Sequence, residues 1–130
     1  MTDREIKQVK TTPDPFESFN LSQAMIFGDL VFVSGQAALD LEGNIIGIGD
    51  FDAQAEAAFE NLKTVLETAG SSMSRVLKVT LFMRDMSQFP KIIALREKYF
   101  SKPYPADTII EVSALALPEL EFEIEAIAAL

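Results

Sequence analysis

The polar residues best placed for chemistry stand at the entrance of a stiffened strand. In Pro103-Tyr104-Pro105-Ala106-Asp107-Thr108-Ile109-Ile110-Glu111-Val112, two prolines fix φ and bias the residues before them away from helix. The chain then turns β-branched and extended. Asp107 and Thr108 sit at this rigid junction, where a carboxylate can hold a proton, a water or a cation. Further on, Glu121, Glu123 and Glu125 alternate with apolar residues and place three more carboxylates on one strand face. Carboxylates matter because the chain has no histidine and no cysteine. The usual neutral-pH base and the commonest transition-metal ligand are therefore missing. Ser34, Thr80 and Thr108 have no histidine to activate them, which leaves a hydrolase triad unsupported. Asp85, Asp107 and Glu111 lack calcium-loop spacing. No Walker A loop, dinucleotide fingerprint or zinc spacing occurs. We expect neither a metal nor a cofactor.

The net charge of -9, with only eleven scattered Lys and Arg against twenty Asp and Glu, repels phosphate backbones and argues against nucleic acid. No stretch approaches the ~20 apolar residues of a membrane span. Met1 to Glu5 shows no basic region followed by an apolar core, so no secretory leader is expected there. The absence of cysteine fits a cytoplasmic location. At 130 residues, almost half of them apolar, the chain is expected to be a single domain, 1–130, with a buried core.

The elements that must position these residues are legible from periodicity. Residues 5–10 read as a short polar strand and 11–20 as a loop. Met25-Ile26-Phe27 and Leu30 to Gln36 flank Gly28-Asp29 as a hairpin. The second arm is almost wholly apolar and reads as a central strand buried on both faces. Gly43, Gly47 and Gly49 mark 40–50 as a flexible connection. A helix is expected over 52–69, burying Ala55, Ala58, Phe59, Leu62, Val65, Leu66 and Ala69. Asp52 would cap it and Gly70 would end it. Val76 to Met83 reads as a strand with Leu77, Val79, Leu81 and Met83 on one face. Ser87 would cap a second helix with Pro90 in its first turn, followed by the strand from Thr108 to Val112. After Pro118, Leu120, Phe122, Ile124, Ala126 and Ala128 alternate with the glutamates. The order β-β-β-α-β-α-β-β makes each helix a crossover in a mixed sheet. Right-handed crossovers place both helices on one face, and the other face then needs a barrel or partner subunits to bury it.

At this point the chain resembles a known family. LVFVSGQAALD (30–40), AFENLKTVLETAGSSMSRVLKVTLFMRDMSQF (58–89) and EIEAIA (123–128) are similar, in one collinear order, to the RidA/YjgF family, also called the endoribonuclease L-PSP family. The resemblance implies an α+β, chorismate-mutase-like fold: a mixed six-stranded sheet with two helices on one face, in a homotrimer with a central β-barrel and ligand clefts between subunits. Typical members hydrolyse enamines and imines such as 2-aminoacrylate, clamping the substrate carboxylate with the Arg of a Pro-Ala-Arg-Ser motif. Here the matching residues are Pro105-Ala106-Asp107-Thr108, so Asp replaces Arg. The family's loop Tyr matches Leu21 and its second-helix Asn matches Ile93. Its C-terminal Glu is kept as Glu123, and its Ser-Gly as Ser34 and Gly35. The backbone N–H at Ile109 matches a ligand contact.

The resemblance thus marks Asp107 and Glu123 as candidate catalytic residues, and Ser34, Gly35, Thr108, Ile109, Leu21 and Ile93 as candidate ligand-binding residues. Two neighbouring carboxylates tend to raise one pKa, so a proton shared by Asp107 and Glu123 is one expectation. Arg84, Arg96 and Lys102 are the cations available to replace the lost Arg, though nothing in the sequence places them in the cleft. The first functional reading is a divergent hydrolase or deaminase acting on an imine, enamine or related carbonyl-type compound, with little or no 2-aminoacrylate activity. The alternative is a non-catalytic protein that binds a metabolite or regulates a partner. An endoribonuclease is suggested only by the family's second name.

Overall fold

The computed structural model describes residues 5–130. Met1 to Arg4, part of the stretch read for a leader, lie outside the described residues. Six strands form one sheet: β1 (Lys7–Val9), β2 (Ala24–Phe27), β3 (Leu30–Gln36), β4 (Val76–Met83), β5 (Ala106–Glu111) and β6 (Phe122–Ala129). Two helices, α1 (Phe51–Thr68) and α2 (Phe89–Tyr99), follow β3 and β4. The expected element order and mixed α+β sheet are therefore present. β1 is shorter than its polar run suggested.

The strand order is β1-β2-β3-β6-β4-β5. β2 and β3 form the expected hairpin, with Phe27 paired to Leu30 across a two-residue turn and Gly28 at φ 62. That angle costs glycine nothing and strains other residues. β6 runs antiparallel to both β3 and β4, so β3 and β4 are parallel to each other and α1 is a crossover between them. α2 is a second crossover, joining β4 to the parallel β5.

Both helices cover the same face. Phe59, fully buried, stacks on Tyr99 at 4.8 Å and on Phe122 at 5.7 Å between ring centroids. It thereby ties α1, α2 and β6 into one core with Leu62, Leu66, Ile92 and Ile124. The inward residues of β6 are all buried, as their alternation predicted.

Several expectations need correction. β3 is interior to the sheet, yet within the chain only one of its faces is covered: Val31 and Val33 are buried while Phe32 is exposed. Leu77 does not join Val79, Leu81 and Met83. A register shift between Val76 and Lys78 turns it outward, because a bulge breaks the two-residue period. Asp50, not Asp52, caps α1, its carboxylate accepting from the Ala53 N–H at 3.1 Å. Ser87 is no cap either. Asp85 accepts from the Ser87 N–H and closes a short 3-10 turn that runs into α2, with Pro90 in the first helical turn. The 40–50 connection is pinned. The Asp40 carboxylate accepts from the N–H groups of Glu42 and Asn44, and the Asn61 side-chain amide on α1 donates to Ala37 and Leu39.

One buried polar residue has no counterpart in the apolar stripe of α1. Gln54 is fully buried and bonds twice to the approach to β6: its NH2 donates to the Glu119 carbonyl at 3.0 Å and its oxygen accepts from the Glu121 N–H at 2.8 Å. Gln54→Leu keeps the volume and strips both bonds. It should cost about 1–3 kcal/mol in urea unfolding at fixed protein concentration, whereas an exposed change such as Glu60→Gln should stay within about 0.5 kcal/mol.

Candidate functional site

The stiff segment before β5 brings Asp107 under α2. Asp107 pairs in register with Val79, which pairs with Ala126, and both of those are buried on the helix side. The Asp107 carboxylate therefore points toward α2, where Arg96 meets it. Arg96 Nε donates to Asp107 Oδ2 and Nη2 to Oδ1, each at 2.9 Å. This two-bonded fork is the strongest geometry for such a pair, and it leaves the Asp107 side chain only 18% exposed. Three of the five guanidinium N–H groups are not used by it. Arg96, Ile93, Tyr104 and Asp107 border a cavity of about 440 Å³.

The Arg96–Asp107 fork was not readable in advance. On α2, Arg96 follows Ile93 by three residues, so the one signal was that the two share a helix face. The return of β5 beneath α2 was needed to complete it. Thr108, on the opposite side of β5, accepts from Lys78 Nζ at 3.0 Å.

Glu123 sits elsewhere. It shares a row with Phe82 and Ile110, on the face that carries no helix. Between Val33 and Gln36 the register with β6 shifts, so Ser34 and Gly35 together oppose Glu125 as a β-bulge. The bulge brings Gly35 against Glu123, where a Cβ at position 35 would collide with the carboxylate. Ser34 is held by its hydroxyl donating to the Ser22 carbonyl at 2.6 Å. Leu21, Gly35 and Glu123 line a smaller cavity of about 140 Å³ with Phe19 and Leu117. Burial of Glu123, reinforced by the Glu125 charge, raises its pKa from the ordinary glutamate value.

The structure thus groups the candidate residues into two half-sites. Leu21, Ser34, Gly35 and Glu123 form one; Ile93 and Asp107, with Arg96, form the other. Thr108 and Ile109 lie along β5 next to the second. Within one chain Asp107 and Glu123 are two strands apart on opposite faces, so they share no proton there; the charge acting on Glu123 is that of Glu125. Among the described residues no cluster of acidic side chains could hold a metal ion, and no helix is long and apolar enough to cross a membrane.

Comparison with known proteins places this geometry. Residues 10–130 match the family model described as Endoribonuclease L-PSP. The chain belongs to that family. Among curated relatives of this RidA/YjgF-type family, a RutC family protein of Pyrococcus abyssi is 37% identical over 125 residues, 96% of each chain. A 2-iminobutanoate/2-iminopropanoate deaminase of Dermatophagoides farinae is 33% identical over 115 residues, 88% of each. Among solved structures, RidA from an Antarctic Psychrobacter superposes with a TM-score of 0.87 at 34% identity, covering 95% of this chain and 99% of that one. A putative endoribonuclease from Thermotoga maritima gives 0.86 at 36%, covering 95% and 97%. The RidA-type fold expected from the family's sequence segments is therefore present.

The raised pKa of Glu123 has a definite sign. The native chain binds this proton more tightly than the unfolded chain does. The resulting stability is complete below about 4.3, the ordinary Glu value, and is lost as pH rises through the higher native value. Glu123→Gln removes that loss. It should unfold at higher denaturant than wild type at pH 7, with the gap shrinking toward pH 4. An equal or larger denaturant deficit of the variant at pH 7 would contradict the burial effect.

Proposed function

We propose that this protein binds a small organic molecule between the subunits of a homotrimer and hydrolyses a C=N bond there. The substrate class is an imine, enamine or related carbonyl-type compound. The observation that carries the reading is the Glu123 carboxylate held against Gly35 at an apolar cavity, with burial favouring its protonated form. A carboxyl tuned upward can give a proton to nitrogen and then accept one from water. In the hydrolysis, water adds its oxygen to the C=N carbon, the C–N bond breaks, and the nitrogen leaves as ammonia, giving a ketone or 2-oxo acid. The similarity to a 2-iminobutanoate/2-iminopropanoate deaminase supports this reaction type. The backbone N–H groups of Gly35 and Ile109 would orient the substrate's polar atom, and Ser34 and Thr108 would flank it.

The trimer rests on the helix-free face. Phe27, Phe32 and Ile110 are exposed there, and a central barrel closed by three such faces would bury them. Clefts between neighbouring subunits would then bring the Glu123 half-site of one toward the Asp107 half-site of the next. Light scattering should give about three times the 14.3 kDa chain mass, and Phe32→Asp should reduce it to one chain.

Asp107 stands where the family's Pro-Ala-Arg-Ser motif carries the carboxylate-clamping Arg, and this makes the protein a divergent member. Its charge does not act alone: the Arg96 fork takes both oxygens, so Asp107 works by holding Arg96 and little 2-aminoacrylate hydrolysis is expected. The same fork favours a second reading, a non-catalytic metabolite binder, because both Asp107 oxygens are already taken while Arg96 keeps N–H groups to hold a ligand. RNA cleavage fits neither the charge of -9 nor the lack of histidine. Ammonia release from enzymatically generated 2-aminoacrylate should be near background. Robust release that survives Asp107→Ala would overturn the role given to that position. For an imine that is turned over, Glu123→Gln should lower kcat by about 10²-fold or more; failure to find any hydrolysed imine favours the binder.

A further inference from the structure

The cavity beside Glu123 has a wall unlike the rest of the site. Phe16, Phe19, Leu21, Leu117 and Leu120 surround it, and the Glu123 carboxylate is its one charged group. Phe19 and Leu21 are 50% and 44% exposed, so two large apolar side chains face open space at its edge. They are not held loosely. The Asp14 carboxylate accepts from the Phe16 N–H at 2.9 Å. Asn20 turns the chain in the left-handed region at φ 60. The Gln23 side chain, 3% exposed, accepts from the Thr11 N–H at 2.6 Å and closes the base of the loop. A fixed apolar wall with one carboxyl at its rim is the usual build of a small-molecule site.

Size narrows the occupant. The cavity volume is about 140 Å³, close to the ~150 Å³ in which an apolar protein cavity takes up benzene. A methyl group would leave most of such a space empty, and unfilled space forfeits dispersion contact. The geometry points to a substrate whose carbonyl or imine carbon carries a phenyl or branched aliphatic group, with that group seated between Leu21 and Leu117 and the reacting carbon toward Glu123. This inference rests on the proposed reaction at Glu123 but concerns the substrate's apolar part, which binding alone can read.

The experiment titrates the intact protein with three neutral ketones, acetophenone, 4-methyl-2-pentanone and acetone, following backbone amides by NMR. Acetophenone and 4-methyl-2-pentanone should bind at least tenfold more tightly than acetone and shift the amides of Leu21, Gly35 and Leu117. Leu21→Trp should fill the space and weaken both larger ketones at least tenfold. Ala116→Phe, at an exposed position on the same cavity, should do likewise and serves if the first variant folds poorly. Equal affinity for the three ketones, shifts confined to other regions, or unchanged binding in both filled variants would overturn the proposal. Because the readout is binding, it separates from the reaction itself. Tight acetophenone binding with no hydrolysis of any imine sinks the hydrolase and keeps this cavity. Imine hydrolysis with no ketone preference does the reverse.

Discussion

The position of β6 is the constraint on which the rest depends. This strand enters last in sequence but lies between β3 and β4, which α1 has already joined as a parallel pair. A strand has period two, so a slip of one residue would turn Phe122, Ile124 and Ala126 outward and drive Glu123 and Glu125 into the core. The apolar alternation opposes that slip along the length of the strand. Gln54 opposes it at the start, because its amide meets one carbonyl and one N–H at fixed positions in the approach to β6. A buried amide is costly unless both its ends are bonded. Gln54 therefore fixes a register as well as filling space, and that register decides which carboxylate comes to rest against Gly35.

The chain carries a large negative charge, yet its two candidate half-sites treat their carboxylates oppositely. Asp107 is met by a guanidinium with matched geometry, and both of its oxygens are taken. Glu123 has no such partner among the described residues, faces an apolar wall, and is pushed toward its neutral form. The same residue class is thus paired and held at one place and left unpaired against an apolar wall at the other. The difference comes from their surroundings: a guanidinium from α2 for Asp107, and burial with the Glu125 charge for Glu123.

Much of this was legible in the sequence, and the gaps have physical causes. The alternation of β6 and the three-then-four spacing on α1 gave their buried faces because both are local, periodic signals. The hairpin at Gly28-Asp29 was readable because turn chemistry is local too. Leu77 was misplaced because a bulge suspends the period for one residue and leaves no mark in composition. The cap of α1 was set two residues late because Asp50 and Asp52 are chemically equivalent candidates and only backbone geometry chooses. The 40–50 segment looked slack from its glycines, although Asp40 folds its first turn onto Glu42 and Asn44, and Asn61 of α1 holds Ala37 and Leu39 just before it. The site divided in the same way. Family position singled out Asp107 and Glu123, but the partner of Asp107 lies on another element, eleven residues back. Whether two polar side chains meet across a crossover is a tertiary fact that spacing does not encode.

Gly35 has a consequence of a different kind. It is not among the glycines held at positive φ, so the backbone at this position would accept any ordinary residue. The nearest obstacle to a side chain is the Glu123 side chain, carboxylate first. A single methyl group here would meet the Glu123 side chain first and force it to shift. Position 35 is therefore a point where a single substitution bears on one carboxylate before it bears on the fold. An alanine there would press first on the Glu123 side chain, and so on the wall of the cavity that the two residues share, before it pressed on the path of the backbone.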